Sequence, residues 1–172
     1  NKEFETTKRI EKFLRDCGIE VLEVGMKTGC IGLLKGGKPG KVVGLREDID
    51  ALPIVEQTGL PFASCEEGVM HACGHDIHQT VLMYTAKALS EIKDELAGDV
   101  LFIFQPAEEP GKGARAMLED GLLDRVPVDE IYGLHNMPSL PTGTIHTKVG
   151  GIMASEDNFT IRIKGKGGHA SS

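Results

Sequence analysis

Nine consecutive residues, Met70 to His78, read Met-His-Ala-Cys-Gly-His-Asp-Ile-His. They hold His71, Cys73, His75, Asp76 and His78, and thiolate and imidazole are the side chains that bind zinc and similar borderline-soft cations. Gly74 removes a side chain where Cys73 and His75 would have to converge. A helical pattern follows at once, so the cluster sits on a turn feeding a helix N-terminus, a position that favours an anionic ligand such as a thiolate. A buried cysteine beside hydrogen-bonded histidines is the plainer reading of a lone Cys or His. The density of this stretch points to a metal instead. His71 and His78 could line a pocket or hydrogen-bond the turn.

Further polar residues fall where short apolar runs end. Asp48 and Asp50 follow the run Lys41–Arg46, Glu108 and Glu109 follow Val100–Phe104, and His135 follows Glu130–Leu134. Thiolate, imidazole and carboxylate together could hold one or two divalent ions, which lower the pKa of a water and polarise a carbonyl. Amide hydrolysis also needs a base that takes the water's proton and passes it to the leaving amine. In a Glu-Glu pair, one carboxylate can ligate while its neighbour stays free for that task.

The elements that must position these groups are legible in the periodicity. Phe4, Ile10, Phe13, Leu14 and Cys17 have helical spacing, closed by Gly18. Val21–Val24 and Cys30–Leu34 read as short strands, and Gly36 to Gly40 as a turn-rich, hairpin-like excursion. Lys41–Arg46 reads as a buried strand and Pro53 to Gly68 as a loop. Thr80–Leu96 reads as an amphipathic helix. Val100–Phe104 is a strand covered on both faces. A helix over about Gly113–Leu123 and a strand over Glu130–Leu134 come next, then strands at Gly143–Val149 and Phe159–Lys164. The middle of the chain alternates strand, helix, strand, helix, strand. That order implies an α/β fold: a mostly parallel sheet with helices on both faces. Ligands in such sheets bind outside the carboxyl ends of the strands, where these polar residues gather. The alternation stops within Pro138 to Gly151, which divides the chain into residues 1–150 and 151–172.

The 172 residues suffice for one globular domain with a real core. A net charge of −7 argues against nucleic acid and anionic membrane as partners. No apolar run approaches the ~20 residues that span a bilayer. The N-terminus is polar and shows no secretory signal, and the four cysteines form no repeating framework. Reduced thiols in a cytoplasm are the simplest account. The charged face Glu91, Lys93, Asp94, Glu95 reads as solvated surface, and His146 as structural.

Five segments together resemble the amidohydrolase branch of the metallo-aminoacylase and carboxypeptidase superfamily. They are Leu45-Arg46-Glu47-Asp48-Ile49-Asp50-Ala51-Leu52-Pro53, His71-Ala72-Cys73-Gly74-His75-Asp76, Phe104-Gln105-Pro106-Ala107-Glu108-Glu109, Gly133-Leu134-His135-Asn136 and Gly165-Lys166-Gly167-Gly168-His169-Ala170. That branch includes hippurate hydrolases, N-acyl-amino-acid amidohydrolases and N-acetyldiaminopimelate deacetylases. The resemblance implies a zinc-exopeptidase-like catalytic domain over residues 1–150. It implies the beginning of a small α+β lid and dimerisation domain over 151–172. Cys73, His75, Glu109 and His135 would be ligands of two divalent ions (zinc, manganese, cobalt or nickel), with Cys73 between them. Glu108 would be the general base. Asp50 would orient a ligand, with Asp48 a second candidate for that role. His169 would hold the substrate, an N-acyl amino acid, and the enzyme would be a homodimer.

Members of the branch continue past this point to complete the lid and supply one more histidine ligand. The chain is therefore expected to be an N-terminal portion, with apolar faces left for the missing half to cover. Two other readings stand beside the amidohydrolase: an inactive metal-binding fragment of such an enzyme, and a cysteine hydrolase with Cys73 as nucleophile.

Overall fold

The computed structural model describes residues 2–169 and 171. The chain divides into two units, Asn1–Met137 and Pro138–Ser172.

The first unit is an α/β sheet domain. Helix α1 (Phe4–Asp16) leads into strands β1 (Glu20–Leu22), β2 (Cys30–Leu34) and β3 (Lys38–Asp48). Helix α2 (His75–Glu91) precedes β4 (Ala97–Gln105), and helices α3 (Gly113–Glu119) and α4 (Leu122–Arg125) precede β5 (Glu130–Gly133). The strand order is β1-β2-β4-β3-β5. β3 runs parallel to both β4 and β5, while β2 runs antiparallel to both β4 and β1. The α/β class holds, and the sheet expected to be mostly parallel is mixed, its parallel part being β4-β3-β5.

β4 explains why the sheet sits where it does. Its central residues are apolar without interruption, and alternate side chains point to opposite faces. Phe102 and Phe104 pack with Ile10 and Leu14 of α1 and Leu82 and Ala86 of α2. Leu101 and Ile103 pack with Met117 of α3 and Leu122 of α4 on the other face. Helices thus cover both faces, and all four of these β4 side chains are buried.

The expected hairpin around Gly36–Gly40 does not form. β2 and β3 lie on opposite sides of β4, whose first residues enter between them. A Cβ on Gly36 would collide with the carbonyl of Gly98, and one on Gly40 with the backbone of Ala97. These glycines permit close backbone approach to β4 rather than a tight turn.

Other boundaries shift for local reasons. α2 begins at His75, five residues earlier than the apolar periodicity alone suggested, because Gly74 (φ 82°) turns the chain directly into the helix. The expected helix over Gly113–Leu123 is broken at Gly121 (φ 80°) into α3 and α4.

In the second unit, the strands expected at Gly143–Val149 and Phe159–Lys164 are absent. Ile145, Val149, Phe159, Ile161 and Ile163 are exposed. Alternating apolar residues form a strand only where another strand satisfies the backbone, and no strand among the described residues pairs with these segments.

Candidate metal centre

The parallel strands bring their carboxyl ends to one edge. Asp48 stands opposite Gln105, and Arg46 stands opposite both Ile103 and Gly133. The Ile49 N–H donates to the Gln105 carbonyl at 3.0 Å, which extends the pairing to the brink of Asp50. Beyond β4, Ala107 adopts a left-handed conformation (φ 48°), unusual for a non-glycine residue, and it is buried. This bend turns Glu108 and Glu109 back over the strand ends. The loop after β5 carries His135 to the same place, and the turn at Gly74 delivers Cys73 and His75.

One ligand atom each from Cys73, His75 and Glu109 lies within 4.8 Å of the others. His75 is central: its side chain is 1% exposed, and its Nε2 is buried with no hydrogen-bond partner. An unpaired buried nitrogen costs roughly 1–3 kcal/mol unless a ligand engages it. The other ring nitrogen is committed, since Nδ1–H donates to Asp50 Oδ1 at 3.3 Å. That bond selects the tautomer whose lone pair on Nε2 faces the cluster. Asp50 also accepts the Glu109 N–H at 3.1 Å through Oδ2, so one buried carboxylate orients two of the three groups. Nε2 lies 3.7 Å from Glu109 Oε1 and 3.9 Å from Glu108 Oε2. Tetrahedral ligands on zinc stand about 3.4 Å apart, so this spacing suits a shared cation. His135 joins through Cys73, with its Nε2 3.5 Å from Sγ. Its Nδ1–H donates to the Asn136 carbonyl at 2.7 Å, which again leaves Nε2 free to coordinate.

Asp48, His75 and His78 also cluster. Asp48 Oδ1 and His78 Nδ1 are only 2.7 Å apart, a hydrogen-bond distance too short for two ligands on one cation. The pair is a donor and its acceptor.

The electrostatics favour a cation. Four carboxylates, Asp48, Asp50, Glu108 and Glu109, gather here, and Arg46 pairs with Asp48 at 3.1 Å and donates Nε–H to Gln105 at 2.8 Å. Burial raises the Glu108 carboxyl above its ordinary value, and Asp48 and Glu109 add to the shift. Burial, with Glu109, Glu108 and Asp48 beside it, pushes the Cys73 thiol up to about 11. A divalent ion would reverse both effects. Burial also pushes Glu47, behind the site, up to about 7.

The residues singled out from sequence therefore come together: Cys73, His75, Glu108, Glu109, Asp50 and His135. His169 belongs to the second unit, where its Nδ1 accepts the Ser171 N–H at 3.2 Å. All four cysteines are free. Sequence reasoning did not foresee the tie between His78 and Asn136, nor the pairings of Arg46 and Glu47. A signal existed for His78, because His75 and His78 are spaced i, i+3 and share one helix face.

A mixed α/β sheet thus gathers at its carboxyl edge a thiol, two imidazoles and a Glu-Glu pair, a donor set that could hold a metal ion. The chain belongs to peptidase family M20/M25/M40, whose model matches residues 44–171. It is 55% identical over 170 residues to N-acetylcysteine deacetylase of Bacillus subtilis (strain 168), covering 98% of this chain and 44% of that protein. It is 46% identical over 167 residues to hippurate hydrolase of Campylobacter jejuni, covering 97% and 43%. Its structure is similar to the crystal structure of a Bacillus subtilis dinuclear metal-binding peptidase of the M20 family. The TM-score is 0.77 at 53% identity, covering 81% of this chain and 38% of that one. The chain spans less than half the length of the curated relatives it matches. Among the described residues, no helix is long and apolar enough to cross a membrane.

Proposed function

We propose that this chain carries the metal-binding and proton-transfer residues of an enzyme that hydrolyses the amide bond of N-acyl amino acids. The observation that carries the reading is the buried, unpartnered Nε2 of His75, aimed at the ligand atoms of Cys73 and Glu109. Relatives named for N-acetylcysteine and hippurate, both N-acyl amino acids, support the substrate class. Residues 1–150 are part of the catalytic domain. Residues 151–172 begin a lid and dimerisation domain, in which His169 holds the substrate. The working assembly is a cytoplasmic homodimer.

Cys73, His75, Glu109 and His135 would hold two divalent ions. The thiolate suits zinc, and the mixed donor set also accepts manganese, cobalt or nickel. Bound there, the ions supply Lewis acidity, which acidifies a water and polarises the scissile carbonyl. The chain's own groups do the rest. Asp50 holds the His75 ring and the Glu109 backbone in place. Glu108 takes a proton from the attacking water and passes it to the leaving amine nitrogen, so the C–N bond breaks as the amine is neutralised.

A cysteine hydrolase fits less well, because burial, and then the carboxylates around Cys73, disfavour the thiolate that a nucleophile needs. The deciding experiment is Glu108→Gln in the full chain. Hydrolysis of N-acetyl amino acids should fall by about 10²- to 10⁴-fold while bound metal, counted by elemental analysis, stays at the wild-type level. Near-wild-type turnover would refute the base assignment. Turnover that survives chelation would refute the metal reading.

A further inference from the structure

His78 takes no part in the chemistry above, yet its ring is the most enclosed at the site. Its side chain is 0% exposed and lies one helical turn beyond His75. Nδ1–H donates to Asp48 Oδ1 at 2.7 Å, so Nε2 is left as an acceptor. The backbone N–H of Asn136 donates to that nitrogen at 3.0 Å; Asn136 Oδ1 stands 2.6 Å from it, where the amide turned over would present Nδ2 as a second donor. The ring stacks on His75, with centroids 5.3 Å apart, and meets His135 edge-on at 4.6 Å. It is therefore wedged between the two imidazoles read as ligands.

Leu134 and His135, just past the end of β5, are exposed. The backbone on either side of His135 is tied by the Leu134 N–H to Glu47 and by the Asn136 N–H to His78. Gly74 lets this happen, because a Cβ there would strike the Asn136 amide.

We propose that His78 is a positioning residue: it clamps the Asn136 backbone against the start of α2 and thereby holds His135 Nε2 beside Cys73 Sγ. The inference rests on the reading of Cys73, His75, Glu109 and His135 as ligands, and its test separates the two. An asparagine at position 78 offers an amide near Asp48 but stops short of Asn136, whereas a glutamine reaches as far as Nε2 does. In the metal-free full chain, amide hydrogen exchange at Asn136 is compared in wild type, His78→Asn and His78→Gln. Protection at Asn136 falls at least tenfold in His78→Asn and is largely recovered in His78→Gln. In a titration with Co²⁺, His78→Asn loses about 10- to 100-fold in affinity and its visible absorption bands change, while His78→Gln again approaches wild type.

Unchanged exchange at Asn136 in His78→Asn overturns the clamp. Lost protection with unchanged Co²⁺ affinity and spectrum overturns the positioning role. Equal losses in both variants, accompanied by a lowered melting temperature, make His78 merely structural and overturn it too. A wild-type chain that binds no Co²⁺ overturns the ligand reading, and the positioning role with it.

Discussion

At the residue scale, Glu47 and Cys73 show how burial sets chemistry. Glu47 accepts the Leu134 N–H through Oε1 at 2.8 Å, while its Oε2 is buried without a hydrogen bond, 4.0 Å from His78 Nδ1. Burial raises its pKa from 4.5 to about 7. Unfolded chains ionise this group near 4.5 while the folded chain keeps it protonated, so stability falls as pH rises from about 4.5 to about 7. Above that window the metal-free protein carries a penalty on the order of 3 kcal/mol, at 1.36 kcal/mol per pKa unit. Glu47→Gln keeps the Oε1 acceptor and removes the charge. Urea unfolding should find the variant more stable than wild type at pH 8 and equal to it at pH 4.5; a difference independent of pH would refute the burial argument. Cys73 makes the complementary case. With its thiol pushed up to about 11, metal binding must expel its proton. The logarithm of the metal affinity should therefore contain a contribution of about one per pH unit from this thiol across neutral pH. Cys73→Ser should remove that slope as well as lower the affinity, which calorimetry in buffers of different ionisation enthalpy would read.

At the element scale, the alternation of β3, α2, β4, the α3–α4 pair and β5 was legible because each element has its own period and clear turn residues. The gathering of Asp50, Glu108, Glu109 and His135 at one edge followed from their positions just beyond strand ends. Pairing partners were not legible. Nothing in Cys30–Leu34 announces that β4, sixty-odd residues away, will enter between β2 and β3. The apolar alternation of Phe159–Lys164 likewise reads as a strand, and it stays unpaired because β-structure depends on a neighbour rather than on the segment itself. His78 was ambiguous because its partners, Asp48 and Asn136, lie 30 and 58 residues away. Gly74 is where local conformation and long-range contact meet. It sits at φ 82° and faces the Asn136 amide, so an alanine there meets both backbone strain and a collision. Gly74→Ala should cost at least 1–3 kcal/mol of stability in thermal or urea unfolding. It should also weaken metal binding, since it displaces the loop that carries His135. Wild-type stability would show that the turn accommodates a side chain.

At the scale of the whole molecule, the ligand atoms come from segments that the sheet alone does not lock together: the start of α2, the bend after β4 and the loop after β5. A cation held by Cys73, His75, Glu109 and His135 would cross-link all three, so it should stabilise the first unit as a body. At a hundredfold excess over its dissociation constant, a ligand that binds only the folded state contributes about 2.7 kcal/mol. For a domain of this size that is a rise of several degrees in melting temperature. The same measurement separates the adjacent glutamates. Glu109→Ala and His135→Ala should lose most of the zinc-induced rise, because each removes a ligand. Glu108→Ala should keep it while losing hydrolysis, because Glu108 moves protons and does not ligate. If Glu108→Ala forfeits the rise as fully as Glu109→Ala, the division of labour between them is wrong and both carboxylates ligate. If none of the three variants changes the rise, zinc acts elsewhere on the chain, and the centre built from Cys73 to His135 is not where it binds.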